Sequence, residues 1–355
     1  MLSRRVFLLA GAGASFASDP SKSPAYRSDA KRYNDPLTEF TVVRLTSPEY
    51  TSRLTAYYNR GIAGKSSLYF CCDRERKMDI YRADLKSGEM KRLTDGERIQ
   101  PSTLDLLPGD RGLMYADGKS LRLLSTSHLK QRELYSASGD IVAASVSEDG
   151  THAAVVETVD KRNRLTLIPI GSGEARRLAE TDELLGEPVH RLMRASILYR
   201  RGAESMFLAN YDGVQNYKLR ITGENISTPQ WSPDGRTIFY LSIPANPSQK
   251  NEIREFTPDT NEDKAVAPTT RFVQFRSNSD ASVFVGASGS KASPHVLLLL
   301  RSVKRELTIC EHRASDPLIV SPIFSPNSQR VFFVSDQHGK PAVYSVGVDR
   351  LIEET

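Results

Sequence analysis

The side chains able to do chemistry in this chain are mainly cations and phenols. The six histidines are His128, His152, His190, His295, His312 and His338, and no two stand at metal-ligand spacing. Arg53, Arg191 and Arg194 carry guanidinium forks, which suit carboxylates bidentately. Tyr57 and Tyr58 offer ring faces on which a sugar could stack. Asp316, Gln274 and Glu187 supply oxygen donors that could converge on a hard cation, but a metal site needs several such ligands at one point. The set leaves room for an acidic small ligand and gives no sign of a metal centre.

These residues gain positions from a repeat. The segment "PQWSPDGRTIFYLS" at 229–242 recurs as "PIFSPNSQRVFFVS" at 322–335, with weaker copies at 144–157 and 273–287. Each copy is an apolar strand, a polar turn and a second β-rich strand, with Asp149, Asp234, Asp280 or Asn327 marking the turn. Segments 59–73, 106–117 and, least well, 190–202 fit the same template. The spacing, roughly 40–47 residues, is that of four-stranded propeller blades. An independent hairpin, "ADLKSGEMKRLT" at 83–94, recurs at 168–179 and more loosely at 219–227, with Gly88, Gly173 and Gly223 in its turns. The expected fold is therefore all-β: a seven-bladed β-propeller of four-stranded antiparallel blades. The segment "EFTVVRLTS" at 39–47 is left over before blade 1 and is expected to complete blade 7, because a closed ring must pair its edges. Propeller ligands sit where the innermost strands begin, so Arg53, Tyr58, Glu187, His190, Arg191 and Gln274 are the expected substrate-binding residues.

The rest of the chain bounds the setting. The N-terminus "MLSRRVFLLAGAGASFASDP" has a basic start at Arg4 and Arg5, a short apolar run and small residues near Ala17. That pattern predicts an export signal over 1–17, of twin-arginine type or, as the alternative, an ordinary secretory one, a flexible polar leader over 18–35, and one propeller over 36–355. The destination implied is periplasmic or extracellular. A formal charge of +5 with scattered Lys and Arg excludes a nucleic-acid footprint. No later segment reaches the length of an apolar membrane span. Cys71, Cys72 and Cys310 give no disulfide or metal framework and are expected as buried small hydrophobes.

Three stretches carry a resemblance to a known family. "VVRLTSPEYTSRLTAYY" at 42–58 with "MKRLTDGE" at 90–97, "WSPDGRTIFYLS" at 231–242, and "SDQHGKPAVYSVGV" at 335–348 resemble oligogalacturonate lyases. The "SPDG" element alone is shared with TolB-type propellers. The resemblance implies a funnel that holds manganese on imidazoles and a glutamine, and β-elimination on short galacturonides. A base would remove the proton α to the carboxylate while a Lewis acid stabilises the charge that develops. Carried over by position, an implied His-Pro-His run falls on Ile319, Val320 and Ser321, a third metal histidine on Gln274, and the glutamine near Asp316. The implied base falls on Thr228, an arginine beside it on Ser205, and two further histidines on Glu187 and Arg53. Arg191 matches an arginine that the resemblance implies.

No manganese or other cofactor is therefore expected on these residues. The chain reads as an oligogalacturonate lyase-family propeller that acts on oligogalacturonides by β-elimination, or binds them, with the metal and base residues not retained. The alternative is a non-catalytic sugar-binding or TolB-like interaction propeller, meeting a protein partner through one face.

Overall fold

The computed structural model describes residues 24–64 and 66–352. The export signal expected over 1–17 lies outside them. Seven antiparallel sheets follow one another along the chain. Blade 2 is typical: Ile99–Leu106 innermost, then Gly112–Asp117, Ser120–Ser125 and Gln131–Ser136 outward. Blades 3, 5 and 6 repeat this order from innermost strands Asp140–Val146, Asn225–Trp231 and Phe272–Ser277. Blade 4 starts from a two-residue innermost strand, Val189–His190.

Blade 7 closes the ring. Its strands Ile323–Phe324, Arg330–Ser335 and Ala342–Gly347 are completed by Thr41–Arg44 from the other end of the chain. Val42, Val43 and Arg44 pair with Val346, Ser345 and Tyr344. This is the seam anticipated for 39–47, and it removes the open edge that a seven-sheet ring would otherwise present.

The second strand of each blade is sandwiched between neighbours, which explains its continuous apolar run. In "RVFFVS" at 330–335, Val331, Phe332, Phe333 and Val334 are all buried, Phe332 and Val334 in one inter-blade cluster and Val331 and Phe333 in another. Aromatic pairs reinforce the layer between blades 5 and 6, where Phe239 and Phe275 meet Phe284 edge-on. The polar turn after each innermost strand repeats as well. Ser232 donates to Asp234 and accepts from the Thr237 amide, and Gly235 takes φ +66° to close the turn.

Two expectations need correction. Residues 24–35 are not a loose leader: Ala25–Tyr26 edges blade 1 and Lys31–Asn34 adds a fifth strand to blade 7. Tyr26 is held by Glu75 and by Arg74, whose guanidinium lies 4.4 Å from its ring centre. Local polarity hid these tertiary partners. Gly223 does not sit in a hairpin: it lies between Asn216–Lys218 of blade 4 and Asn225–Trp231 of blade 5. A side chain there would collide with Tyr240.

Candidate functional site

The innermost strand of blade 1 is broken into Ser52–Arg53 and Ile62–Ala63, and residues 54–61 between them leave the sheet. This excursion carries Tyr57, Tyr58 and Asn59 across the axial channel. The Tyr57 hydroxyl donates to the Pro229 carbonyl of blade 5 at 3.0 Å, and Tyr58 donates to Ser102 of blade 2 at 3.3 Å. Asn59 donates to the carbonyls of Ser102, Leu104 and Ala144. The two phenol rings meet edge-on with centres 5.2 Å apart. Burial pushes both phenols well above their ordinary pKa, with the charge of Glu187 adding to it. They form a protonated plug, so Tyr58 is a floor residue and neither phenol is suited to act as a base.

On the entrance side stand the beginnings of the innermost strands. Arg53 is half-buried there, and its guanidinium has no hydrogen bond or ion pair among the described residues. Its charge helps hold the Asp336 carboxyl below the ordinary range, after the hydrogen bonds from Ser315. Glu187 is held bidentately by Arg200, Nε to Oε2 at 2.6 Å and Nη2 to Oε1 at 2.7 Å. The third guanidinium nitrogen of Arg200 donates to Ile226 at 2.8 Å. Burial works against the Arg200 charge, but Glu187 outweighs it and raises the pKa. Gln274 links blade 6 to blade 7: it accepts from the Ser321 amide at 3.1 Å and donates to the Leu318 carbonyl at 2.9 Å.

Thr228 and Ser321 flank Gln274 with left-handed backbone, φ 47° and 41°. A β-branched residue there is strained, and such strain concentrates at functional sites. The side chains at these two positions are a threonine and a hydroxymethyl group, not imidazoles. The donors do not fit manganese. The Gln274 oxygen and the Asp316 carboxylate are spent on backbone amides of 321 and 318, and the Thr228 hydroxyl accepts from Phe275. Among the described residues no group of three or more His, Cys, Asp or Glu could hold a metal ion.

His190 and Arg191 are not at the entrance. Val189 and His190 pair with Leu198 and Ile197 just before the turn into the second strand, as Gln230 and Trp231 pair with Phe239 and Ile238. They therefore occupy the exit end of their strand. The repeat matched weakly at 190–202, and its phase placed them one strand length away. His190 bonds Tyr211 through Nδ1 at 2.5 Å, and burial lowers its pKa to about 4. Arg191 is buried, donates to Gly235 at 2.8 Å and lies 4.6 Å above the Trp231 ring. Arg194 is an exposed cation near Asp259.

The exit end holds a cavity of about 680 Å³ bounded by the turns after the innermost strands and roofed by Tyr58. Asp105 and Arg276 line it, and sequence reasoning passed over both, as it did Arg200. The signal was there for two of them: Asp105 and Arg276 are lone charges inside "STLDLL" and "VQFRS", whereas Arg200 stands beside Arg201 at the end of "SILYRR".

No family model matches the chain. Over 88% of its length, covering 94% of the relative, it is 24% identical to the oligogalacturonide lyase of Pectobacterium atrosepticum. An oligogalacturonate lyase solved in complex with manganese superposes with a TM-score of 0.85 at 23% identity, over 92% of this chain and 98% of that one. TolB from Acinetobacter baumannii superposes less closely, with a TM-score of 0.51 at 14% identity, over 84% and 79% of the two chains. The resemblance to oligogalacturonate lyases thus spans most of the chain, and the fold is theirs.

Proposed function

We infer that this chain, a seven-bladed propeller similar over most of its length to oligogalacturonate lyases, binds acidic oligosaccharides at the entrance of its funnel and does not cleave them by manganese-dependent β-elimination. The observation that carries this reading is Arg53, a half-buried guanidinium at the funnel entrance without a partner among the described residues. A galacturonide offers one carboxylate per sugar, which such a fork grips with charge-assisted hydrogen bonds. β-Elimination needs a base within reach of the α proton. Thr228 is not one, Glu187 is chelated by Arg200, and the Tyr57 phenol is buried and bonded. An export signal and a periplasmic or extracellular location belong to the same reading, since pectin fragments arise outside the cell.

The test is calorimetry with digalacturonate against a neutral galactose disaccharide, on the parent and on Arg53→Ala. The acidic sugar is expected to bind selectively and to lose about ten- to a hundred-fold on the substitution, the worth of one charge-assisted bond. A parallel assay follows the absorbance of unsaturated uronates with and without manganese. A sustained rise would show that the chain is a lyase, and equal affinity for both sugars would remove the case for acidic recognition.

A further inference from the structure

The cavity at the exit end is separate from the entrance site. Tyr57 and Tyr58 cross the channel between the two, bonded to opposite walls. Its volume of about 680 Å³ is in the range of small-molecule pockets.

Most polar side chains in its wall are committed to joining blades. Ser145 donates to the Pro188 carbonyl at 2.5 Å, Gln230 spans to Phe275 and Ser277, and Asn278 bonds within its own turn. Arg276 differs. It lies on the innermost strand of blade 6 beside these residues, yet its guanidinium has no hydrogen bond or ion pair among the described residues, and Nη1 is wholly buried without a partner. Five donors are thus held in a confined space with nothing to receive them. Burial lowers the Arg276 pKa, and the nearby Tyr57 and Asp105 only partly offset this. Leaving a buried cation uncompensated is costly, and an anion entering the cavity would remove that cost.

The other walls narrow the choice of anion. Asp105 is 3% exposed, and its two oxygens accept from the Arg60 amide at 2.9 Å and the Val146 amide at 2.8 Å. A carboxylate has about four acceptor positions, so Asp105 can still accept from a ligand hydroxyl. Its negative charge opposes a dianion. Trp231, Tyr58 and Phe324 supply apolar ring surface.

We propose that this exit cavity is a second ligand site that takes a small hydroxylated monocarboxylate, its carboxylate on Arg276 and a hydroxyl on Asp105. The site is independent of the entrance reading.

Thermal-shift titration of the full chain tests it, with galacturonate, acetate, galactose and inorganic phosphate as probes. A ligand that binds only the folded state raises the melting temperature with concentration. Galacturonate is expected to raise it saturably, acetate more weakly, and galactose and phosphate not at all. Arg276→Met is expected to weaken the galacturonate effect by about ten-fold or more, the loss of a charge-assisted contact. Without ligand it should melt no lower than the parent, because the arginine makes no bond. Arg276→Lys keeps the charge without the fork and is expected to weaken binding too, which leaves a test if the methionine variant does not fold. In Arg53→Ala, where the entrance contact is lost, galacturonate is expected still to raise the melting temperature saturably, and adding Arg276→Met to that variant is expected to remove the remaining effect. The proposal is overturned if galacturonate acts equally on both Arg276 variants, if Arg53→Ala abolishes its effect, or if galactose or phosphate matches it.

Discussion

The Tyr57 hydroxyl reaches the Pro229 carbonyl across the channel axis, tying blade 1 to blade 5 at 3.0 Å. A chain excursion of a few residues thereby divides one channel into two chambers with different lining chemistry.

Tyr57→Phe should keep the ring in place and lose the one bond, at about 1 kcal/mol. Tyr57→Ala should cost about 3–5 kcal/mol, as for other large aromatic truncations. Urea denaturation of the three proteins checks both values. Equal stability of the alanine variant and the parent would mean that the plug contributes nothing to closure.

The fold was legible because its signals repeat. Seven copies of an apolar strand and polar turn define the blades, and the unpaired segment at 39–47 had only one edge left to close. The site was less legible. Its residues lie in single positions where no repeat averages out an error. His190 and Arg191 show this: a shift of one strand length within the weakest repeat moved them from the entrance to the exit end. Gln274 braces blade 6 to blade 7 through backbone groups at 318 and 321, a role that its residue type does not disclose. The strand at 25–26 was missed because its partner at 90–91 is distant in sequence, and the strand at 31–34, which pairs with the nearby 41–44, was missed because its residues are polar.

Arg191→Ala should leave digalacturonate affinity unchanged, since the guanidinium is buried over Trp231 at the exit end. The substitution should instead cost about 1–3 kcal/mol through the lost bond to Gly235 and the lost ring contact. Calorimetry and denaturation together separate the two effects. A ten-fold loss of affinity with no loss of stability would return Arg191 to the ligand.

Two buried groups should oppose each other in their pH dependence. The folded pKa of His190, about 4, lies below its ordinary 6.5, so the unfolded chain binds the extra proton between these values and stability falls as pH falls through that window. Burial raises Asp105 from 3.8 to about 6, although the Arg60 and Val146 amides pull it down. Its contribution is present at low pH and is lost as pH rises to 6. Each displacement corresponds to about 3 kcal/mol at most. Between pH 6.5 and 4.5 the parent should therefore lose more stability than His190→Gln, and Asp105→Asn should lose more than the parent. Urea denaturation at the two pH values measures the differences, and parallel profiles for all three proteins would show that neither group is displaced.

Glu187→Gln separates binding from stability at the entrance. Glu187 and Arg200 are each partly exposed, at 17% and 23% of the side chain. Breaking the pair should therefore cost about 1–3 kcal/mol, less than the 3–5 kcal/mol of a fully buried pair. The same change removes the negative charge and one acceptor oxygen, which frees one donor nitrogen of Arg200 while another keeps its bond to Ile226. An Arg200 charge no longer neutralised at the funnel entrance adds a second cationic contact for a carboxylate, so digalacturonate affinity should rise by about ten-fold as stability falls. A neutral galactose disaccharide should gain nothing. Calorimetry with both sugars on Glu187→Gln gives the answer. A fall in digalacturonate affinity would mean that Glu187 itself accepts from sugar hydroxyls, and that the Glu187–Arg200 pair holds a polar surface which the ligand uses intact.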